Sequence, residues 1–197
     1  LTKNLPVASG IGGGSADAAA ALRGLADLWK LDAGPPTLRS VAEALGSDVP
    51  VCVESRPCWM EGRGETVTPA PEVPPVAMVL VNPGVAVPTA PVFRALKARS
   101  GLGRADRSGF GSDAHALARY LATARNDLEA PALQIAPVIG EVLAALRAQS
   151  GVLLARMSGS GATCFAICEN DAQARMAARA IAASHPGWWA TAARTTE

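Results

Sequence analysis

The 197-residue sequence has no surplus of charge: 18 Lys and Arg against 17 Asp and Glu leave a net charge of +1, with the two signs interspersed. That balance lacks the electrostatic footprint by which proteins hold nucleic acid or an anionic membrane surface. No apolar run approaches the length of a membrane span, and no signal peptide is expected. The expectation is a cytoplasmic protein with neither nucleic-acid nor membrane partners. Histidine is scarce, with only His115 and His185, and Cys52, Cys58, Cys164 and Cys168 lack the paired C-x-x-C spacing of a zinc site. Buried, reduced thiols are expected instead. Internal repeats and low-complexity tracts are also missing.

What the chain does hold is a hydrophobic content of 49%, ample for the core of one large domain or two small ones. Around one stretch near its start the rest is organised: Lys3-Asn4-Leu5-Pro6-Val7-Ala8-Ser9-Gly10-Ile11-Gly12-Gly13-Gly14-Ser15-Ala16-Asp17, followed by an alanine run. Glycines leading into a helix start suit an anion, because unpaired N–H groups and the helix dipole face it and nothing blocks its approach. The loop is not a Walker A, since Gly14 rather than Lys precedes Ser15, and a Rossmann fingerprint from Gly10 would place its third glycine at Ser15. A turn that merely lets helix and sheet pack closely is the alternative.

Periodicity and punctuation give the following order. Ser15 caps a helix to about Leu31 that buries Leu22, Leu25, Leu28 and Trp29, and a second helix from Thr37 ends at Gly46. Residues 51–53, 58–60 and 66–68 read as three short strands, with Glu61-Gly62-Arg63-Gly64-Glu65 as the last turn. Pro69, Pro71, Pro74 and Pro75 mark a boundary, giving domains 1–72 and 73–197. Beyond it come a strand at 76–81, a helix capped by Thr89 over 91–99, and a glycine-rich loop at 100–112. Helices at 113–124 and 131–149 follow, the second interrupted at Pro137. Strands at 152–157 and 163–168, a helix at 171–184 and a strand at 188–193 close the chain. Without the extra helices the second half reads β-α-β-β-α-β, the split unit of ferredoxin-like folds.

Asp48, in Gly46-Ser47-Asp48-Val49-Pro50, is either a cap for the next turn or a carboxylate for chemistry. Phosphoryl transfer needs held phosphates, magnesium to offset charge, and a carboxylate that orients the attacking hydroxyl and accepts its proton. Ser158-Gly159-Ser160-Gly161-Ala162-Thr163 fits an ordinary hairpin as well as a phosphate-lining turn. Asn126-Asp127 reads as a turn and helix cap.

Pro6-Val7-Ala8-Ser9-Gly10-Ile11-Gly12-Gly13-Gly14-Ser15-Ala16 resembles the second motif of the GHMP kinases, and Ser158 to Thr163 resembles their third, in the same order. Lys3 to Pro6, Gly46 to Val51, Glu61 to Glu65, Asn82-Pro83-Gly84 with Pro88 to Phe93, and Asn126 to Glu129 extend the resemblance along nearly the whole chain. They are most similar to members whose alcohol substrate carries a diphosphocytidyl group. The resemblance implies an α+β, two-domain GHMP kinase fold: the remainder of a ribosomal-protein-S5-like, ATP-binding N-terminal domain at 1–72, then a ferredoxin-like C-terminal domain at 73–197. It implies an ATP- and Mg2+-dependent kinase of a small-molecule hydroxyl, monomeric or homodimeric. Asp48 would be the catalytic aspartate and Pro6 to Ala16 would wrap the ATP phosphates, with Lys3 near the adenine. Thr89 and Phe93 would border the substrate, and Gly159 to Gly161 would close the phosphate region. Kinases of other alcohols, such as homoserine or mevalonate, and a non-catalytic nucleotide-binding module are the alternatives. The family's first motif, a strand with a lysine that assists the aspartate, has no counterpart after Leu1. An N-terminal portion is therefore expected to be missing, and residues 1–197 alone are expected to show little activity.

Overall fold

The computed structural model describes residues 2, 5–6, 10–31, 35–62, 64–96, 107 and 109–195. These form two compact units. One contains Gly12–Glu72 with Arg107–Gly109; the other contains the described residues of Leu1–Ile11, Val73–Asp106 and Phe110–Glu197. The units change at Glu72/Val73, within the proline-rich stretch, but residues before Gly12 cluster with the second unit rather than the first.

The first unit holds α1 (Gly13–Leu28), α2 (Pro35–Leu45), α3 (Val49–Glu54) and a hairpin of β1 (Cys58–Glu61) with β2 (Thr66–Pro69). Ala19, Ala42 and Val49 form its buried cluster, with Ala18, Leu22, Cys52 and Val53 packed against them. Two expectations fail here. On α1 the buried residues are Ala19 and Ala26, whereas Leu25, Leu28 and, just past the helix end, Trp29 are 40%, 71% and 61% exposed. This helix is apolar on more than one side, and its small residues take the inward face because they admit neighbouring helices closely. Residues 51–53 are helical, not extended. Val49, Cys52 and Val53 supply an i, i+3, i+4 stripe, Pro50 is pre-organised for a first turn, and Arg23 Nη1 donates to the Cys52 carbonyl at 2.8 Å near the helix end.

The second unit is a four-stranded antiparallel sheet ordered β4 (Val152–Met157), β5 (Cys164–Cys168), β3 (Ala77–Asn82), β6 (Trp189–Arg194). With α8 (Asp171–Ser184) between β5 and β6, this is the expected β-α-β-β-α-β arrangement. The first crossover carries α4 (Thr89–Ala95), α5 (Ala114–Thr123), α6 (Glu129–Ile135) and α7 (Val138–Arg147), with Pro137 separating the last two. Val79 and Val81 of β3 face Ile139, Val142, Leu143 and Leu146 of α7 and Ala174, Ala177, Ala178 and Ile181 of α8 in one core. Asp113 caps α5 through Ala116 N–H at 2.8 Å, and Asn170 caps α8 through Gln173 N–H at 3.0 Å. Residues 97–106 and 108, most of the expected 100–112 loop and the end of the expected 91–99 helix, lie outside the described residues. No helix among the described residues is long and apolar enough to cross a membrane.

All four cysteines are free; Cys164 and Cys168 are buried, while Cys52 and Cys58 are only half-buried. Burial pushes the Cys164 thiol up to about 12 and the Cys168 thiol up to about 11, with Glu129 and Glu169 respectively adding to the shift. Native protein treated with iodoacetamide at pH 8 should leave both unmodified, whereas urea-unfolded protein should react at every cysteine. Because folding raises these pKa values, their contribution to stability is full below the unfolded value of 9.0 and is lost as pH climbs toward 12. Leu146 is fully enclosed in the sheet core, and Leu146→Ala should cost about 2–5 kcal/mol, read as a fall in the urea midpoint.

Candidate active site

Of the residues expected to hold a nucleotide, Val7, Ala8 and Ser9 lie outside the described residues, as does Lys3. Pro6 is half-buried, and Gly10 and Gly12 have φ of +75° and +69°, a left-handed backbone that glycine adopts without steric cost. At Gly10 the absence of a side chain is also a packing requirement. A Cβ there would stand 2.5 Å from the Gly161 carbonyl oxygen and 3.0 Å from that of Ser158. Ser158 Oγ donates to the Gly10 carbonyl at 2.8 Å. Thus the two glycine segments singled out separately in the sequence meet, backbone to backbone, in the sheet unit.

The second half of the loop starts α1. Gly12, not Ser15, occupies the N-cap position, and no side chain caps the helix; Ser15 is its third residue. The first helical bond runs from Ala16 N–H to the Gly12 carbonyl at 2.9 Å, so the N–H groups of Gly13, Gly14 and Ser15 have no intrahelical acceptor. A Cβ at Gly12 or Gly14 would meet nothing within 4 Å, and no acidic residue stands in the first turn. Bare, outward-facing donors at the positive end of a 16-residue helix are the arrangement that accepts an anion.

Asp48 precedes α3 in the other helices' cluster: Val49, the next residue, packs with Ala19 of α1. Its side chain makes no cap bond, it is exposed, and among the described residues no hydrogen bond or ion pair engages its carboxylate. The capping alternative left open by the sequence is therefore not the one adopted. Its charge is felt by Cys52, whose thiol is raised first by burial, then by Asp48, against an opposing effect of Arg23. Behind it, Gly64, at φ +110°, lies against the Ser47 carbonyl so closely that a Cβ would strike it. A cleft of about 390 Å3 lined by Glu43, Ser47, Pro50, Gly64 and Glu65 opens beside this contact.

Polar groups concentrate around the Ser158–Thr163 turn. Asn82, Ser160 and Thr163 are the buried polar residues among those described, and each is bonded there. Asn82 Nδ2 donates to Thr163 Oγ1 at 2.9 Å, and Thr89 Oγ1 and Ser160 Oγ share a hydrogen bond of 3.0 Å. Thr89 is thus the first residue of α4, not its cap; Pro88 takes that place. Phe93, on the same helix, is 53% exposed. Asn126 Nδ2 donates to the carbonyls of Met157 at 3.2 Å and Gly159 at 2.7 Å, while its Oδ1 accepts from Leu128 N–H at 3.0 Å. Turn chemistry alone explains the last of these bonds; the other two span more than 30 residues and leave no local signal in the sequence.

Chemically, α1 donors without an intrahelical acceptor suit phosphate, and a carboxylate that no described residue engages, that of Asp48, suits proton transfer from a hydroxyl. Cys164, protonated far above neutrality, is no nucleophile. Among the described residues no group of three or more His, Cys, Asp and Glu side chains gathers as a metal cage.

Models of the GHMP kinase family match at both parts of the chain, the N-terminal domain over residues 1–56 and the C-terminal domain over 98–187. A curated 4-diphosphocytidyl-2-C-methyl-D-erythritol kinase from Paramagnetospirillum magneticum is 55% identical over 191 residues, covering 96% of this chain and 66% of that protein. One from Cereibacter sphaeroides is 53% identical over 195 residues, covering 98% of this chain and 69% of its own length. The chain thus spans about two thirds of the length of the curated relatives it matches. A crystal structure of 4-(cytidine 5'-diphospho)-2C-methyl-D-erythritol kinase superposes with a TM-score of 0.76 at 34% identity, over 98% of this chain and 68% of that one. Homoserine kinase from Cytophaga hutchinsonii gives 0.77 at 18% identity, over 99% and 68%, a likeness of fold alone. With both family models matched and relatives more than half identical across nearly its whole length, the chain belongs to the GHMP kinase family.

Proposed function

We propose that this chain belongs to a kinase that transfers the γ-phosphate of ATP to the 2-hydroxyl of 4-diphosphocytidyl-2-C-methyl-D-erythritol, in non-mevalonate isoprenoid precursor synthesis. The observation that carries the substrate is the 53–55% identity to curated kinases of that name over 96–98% of the chain. Likeness to the homoserine kinase, at 18%, extends to the fold only, so no observation favours a different alcohol.

Residues 1–72 are then the remainder of the ATP-binding N-terminal domain and 73–197 the C-terminal domain. Pro6 to Ala16 cradle the ATP phosphates: their free N–H groups at the start of α1 and the open space at Gly12 and Gly14 support this assignment. Asp48 orients the 2-hydroxyl and accepts its proton. A bond forms between that oxygen and the γ-phosphorus, the bond from the phosphorus to the β–γ bridging oxygen breaks, ADP leaves, and the proton passes on to solvent. The Ser15 hydroxyl, in the first turn of α1, would offer a hard oxygen donor to a magnesium ion brought with ATP, which would offset phosphate charge. Thr89 and Phe93 border the alcohol. The enzyme works in the cytoplasm as a monomer or a homodimer.

In the full-length protein Asp48→Asn should lower turnover of the diphosphocytidyl substrate about 100-fold or more while ADP binding is kept. Unchanged turnover removes Asp48 from the mechanism. Faster phosphorylation of homoserine or mevalonate than of the diphosphocytidyl alcohol by the parent enzyme overturns the substrate assignment.

A further inference from the structure

The Ser158–Thr163 turn has little of its own to hold it. Gly159 and Gly161 sit at φ +53° and +89°, and glycine-rich backbone loses more freedom on ordering than any other. Within the turn only Gly161 N–H to the Ser158 carbonyl, 3.0 Å, and Ser158 N–H to the Thr163 carbonyl, 2.9 Å, are made. β4, which leads into it, is an edge strand of the sheet, so among the described residues no strand pairs with one side of Met157. Two side chains from the α5–α6 segment take that strand's place. Asn126 donates to the Met157 carbonyl and the Gly159 carbonyl, and Glu129 Oε2 accepts from Met157 N–H at 3.5 Å.

From this geometry we infer that Asn126 is the positioning residue of the second glycine turn and, through that turn, of Gly10. Both hydrogens of its amide are spent on the two carbonyls, and its oxygen is fixed by Leu128 N–H, which sets the amide's orientation. Immediately beyond, Ser158 Oγ holds the Gly10 carbonyl, and Gly10 fits against the Gly161 carbonyl only because Gly10 carries no side chain. A displacement of the turn by a few tenths of an ångström therefore displaces Gly10. No other side chain substitutes for Asn126. Aspartate has its shape but sets a carboxylate oxygen against two carbonyl oxygens; glutamine is one methylene too long; serine keeps the bond from Leu128 but reaches neither carbonyl pair.

The functional consequence rests on the proposed kinase reading, in which Gly10 lines the phosphate loop; the structural one does not. In the full-length protein, hydrogen–deuterium exchange should quicken in peptides covering 157–163 and Gly10 for Asn126→Asp and for Asn126→Ser. Exchange in α7, α8 and the rest of the sheet should stay at the parent rate. ADP affinity and the KM for ATP should each weaken roughly tenfold, the loss of a pair of short hydrogen bonds, while KM for the alcohol stays within about twofold. Arg125→Ala, which breaks the exposed 2.8 Å pair with Asp127 next door, serves as the control and should change none of these. The Asp variant should recover part of its ADP affinity relative to the parent as pH falls and its carboxyl gains a proton to donate; the Ser variant should not. Unchanged exchange at 157–163 in both variants, or exchange quickened equally throughout the sheet unit, overturns the inference. A parent protein without kinase activity overturns the kinase reading instead and leaves the exchange result to decide the role of Asn126.

Discussion

Gly10 and Ser158 lie 148 positions apart and meet through one 2.8 Å hydrogen bond and the bare backbone around it. The rest of the sheet unit is arranged so that this contact can exist. Several elements that reach the turn contribute a polar group: Asn82 from the end of β3, Thr89 from the start of α4, Asn126 from the α5–α6 connection, Glu129 from α6. Buried polar atoms are costly without partners, and here they are satisfied by one another. The apolar core of β3, β5, α7 and α8 supplies rigidity; the polar cluster at its end supplies position.

The helical unit solves a different problem. A helix start must be left uncapped and uncovered if it is to receive an anion, and α1 is both, because Gly12 and Gly14 have no side chain and Ser15 is drawn into the first turn instead of capping it. A carboxylate must be left unengaged if it is to take a proton; among the described residues none bonds the Asp48 side chain, while the backbone on either side is placed through buried Val49 and Pro50 and through Gly64 against Ser47. On the proposed kinase reading these two features serve one reaction.

Much of this was legible in the sequence where a single physical period governs. Ile139, Val142, Leu143 and Leu146 recur at helical spacing, the apolar run of β3 suits a buried strand, and Pro137 divides two helices. The split β-α-β-β-α-β order follows from such segments. Misreadings arise where two forces compete. Val51 and Val53 favour a strand by their branching, but the stripe of Val49, Cys52 and Val53 against α1 makes a helix. Leu25, Leu28 and Trp29 have helical spacing, yet the alanines Ala19 and Ala26 take the enclosed face. At the candidate site, the glycine loop and Asp48 stand out by residue type, whereas the role of Asn126 depends on carbonyls 31 and 33 residues away and no local pattern encodes it.

On the proposed reading the loop from Pro6 to Ala16 receives the ATP phosphates. Backbone-amide NMR of the protein titrated with ATP tests it most directly. The N–H resonances of Gly10, Gly12, Gly13, Gly14 and Ser15 should move together and saturate with one dissociation constant. Saturating shifts that leave these five amides in place would contradict it.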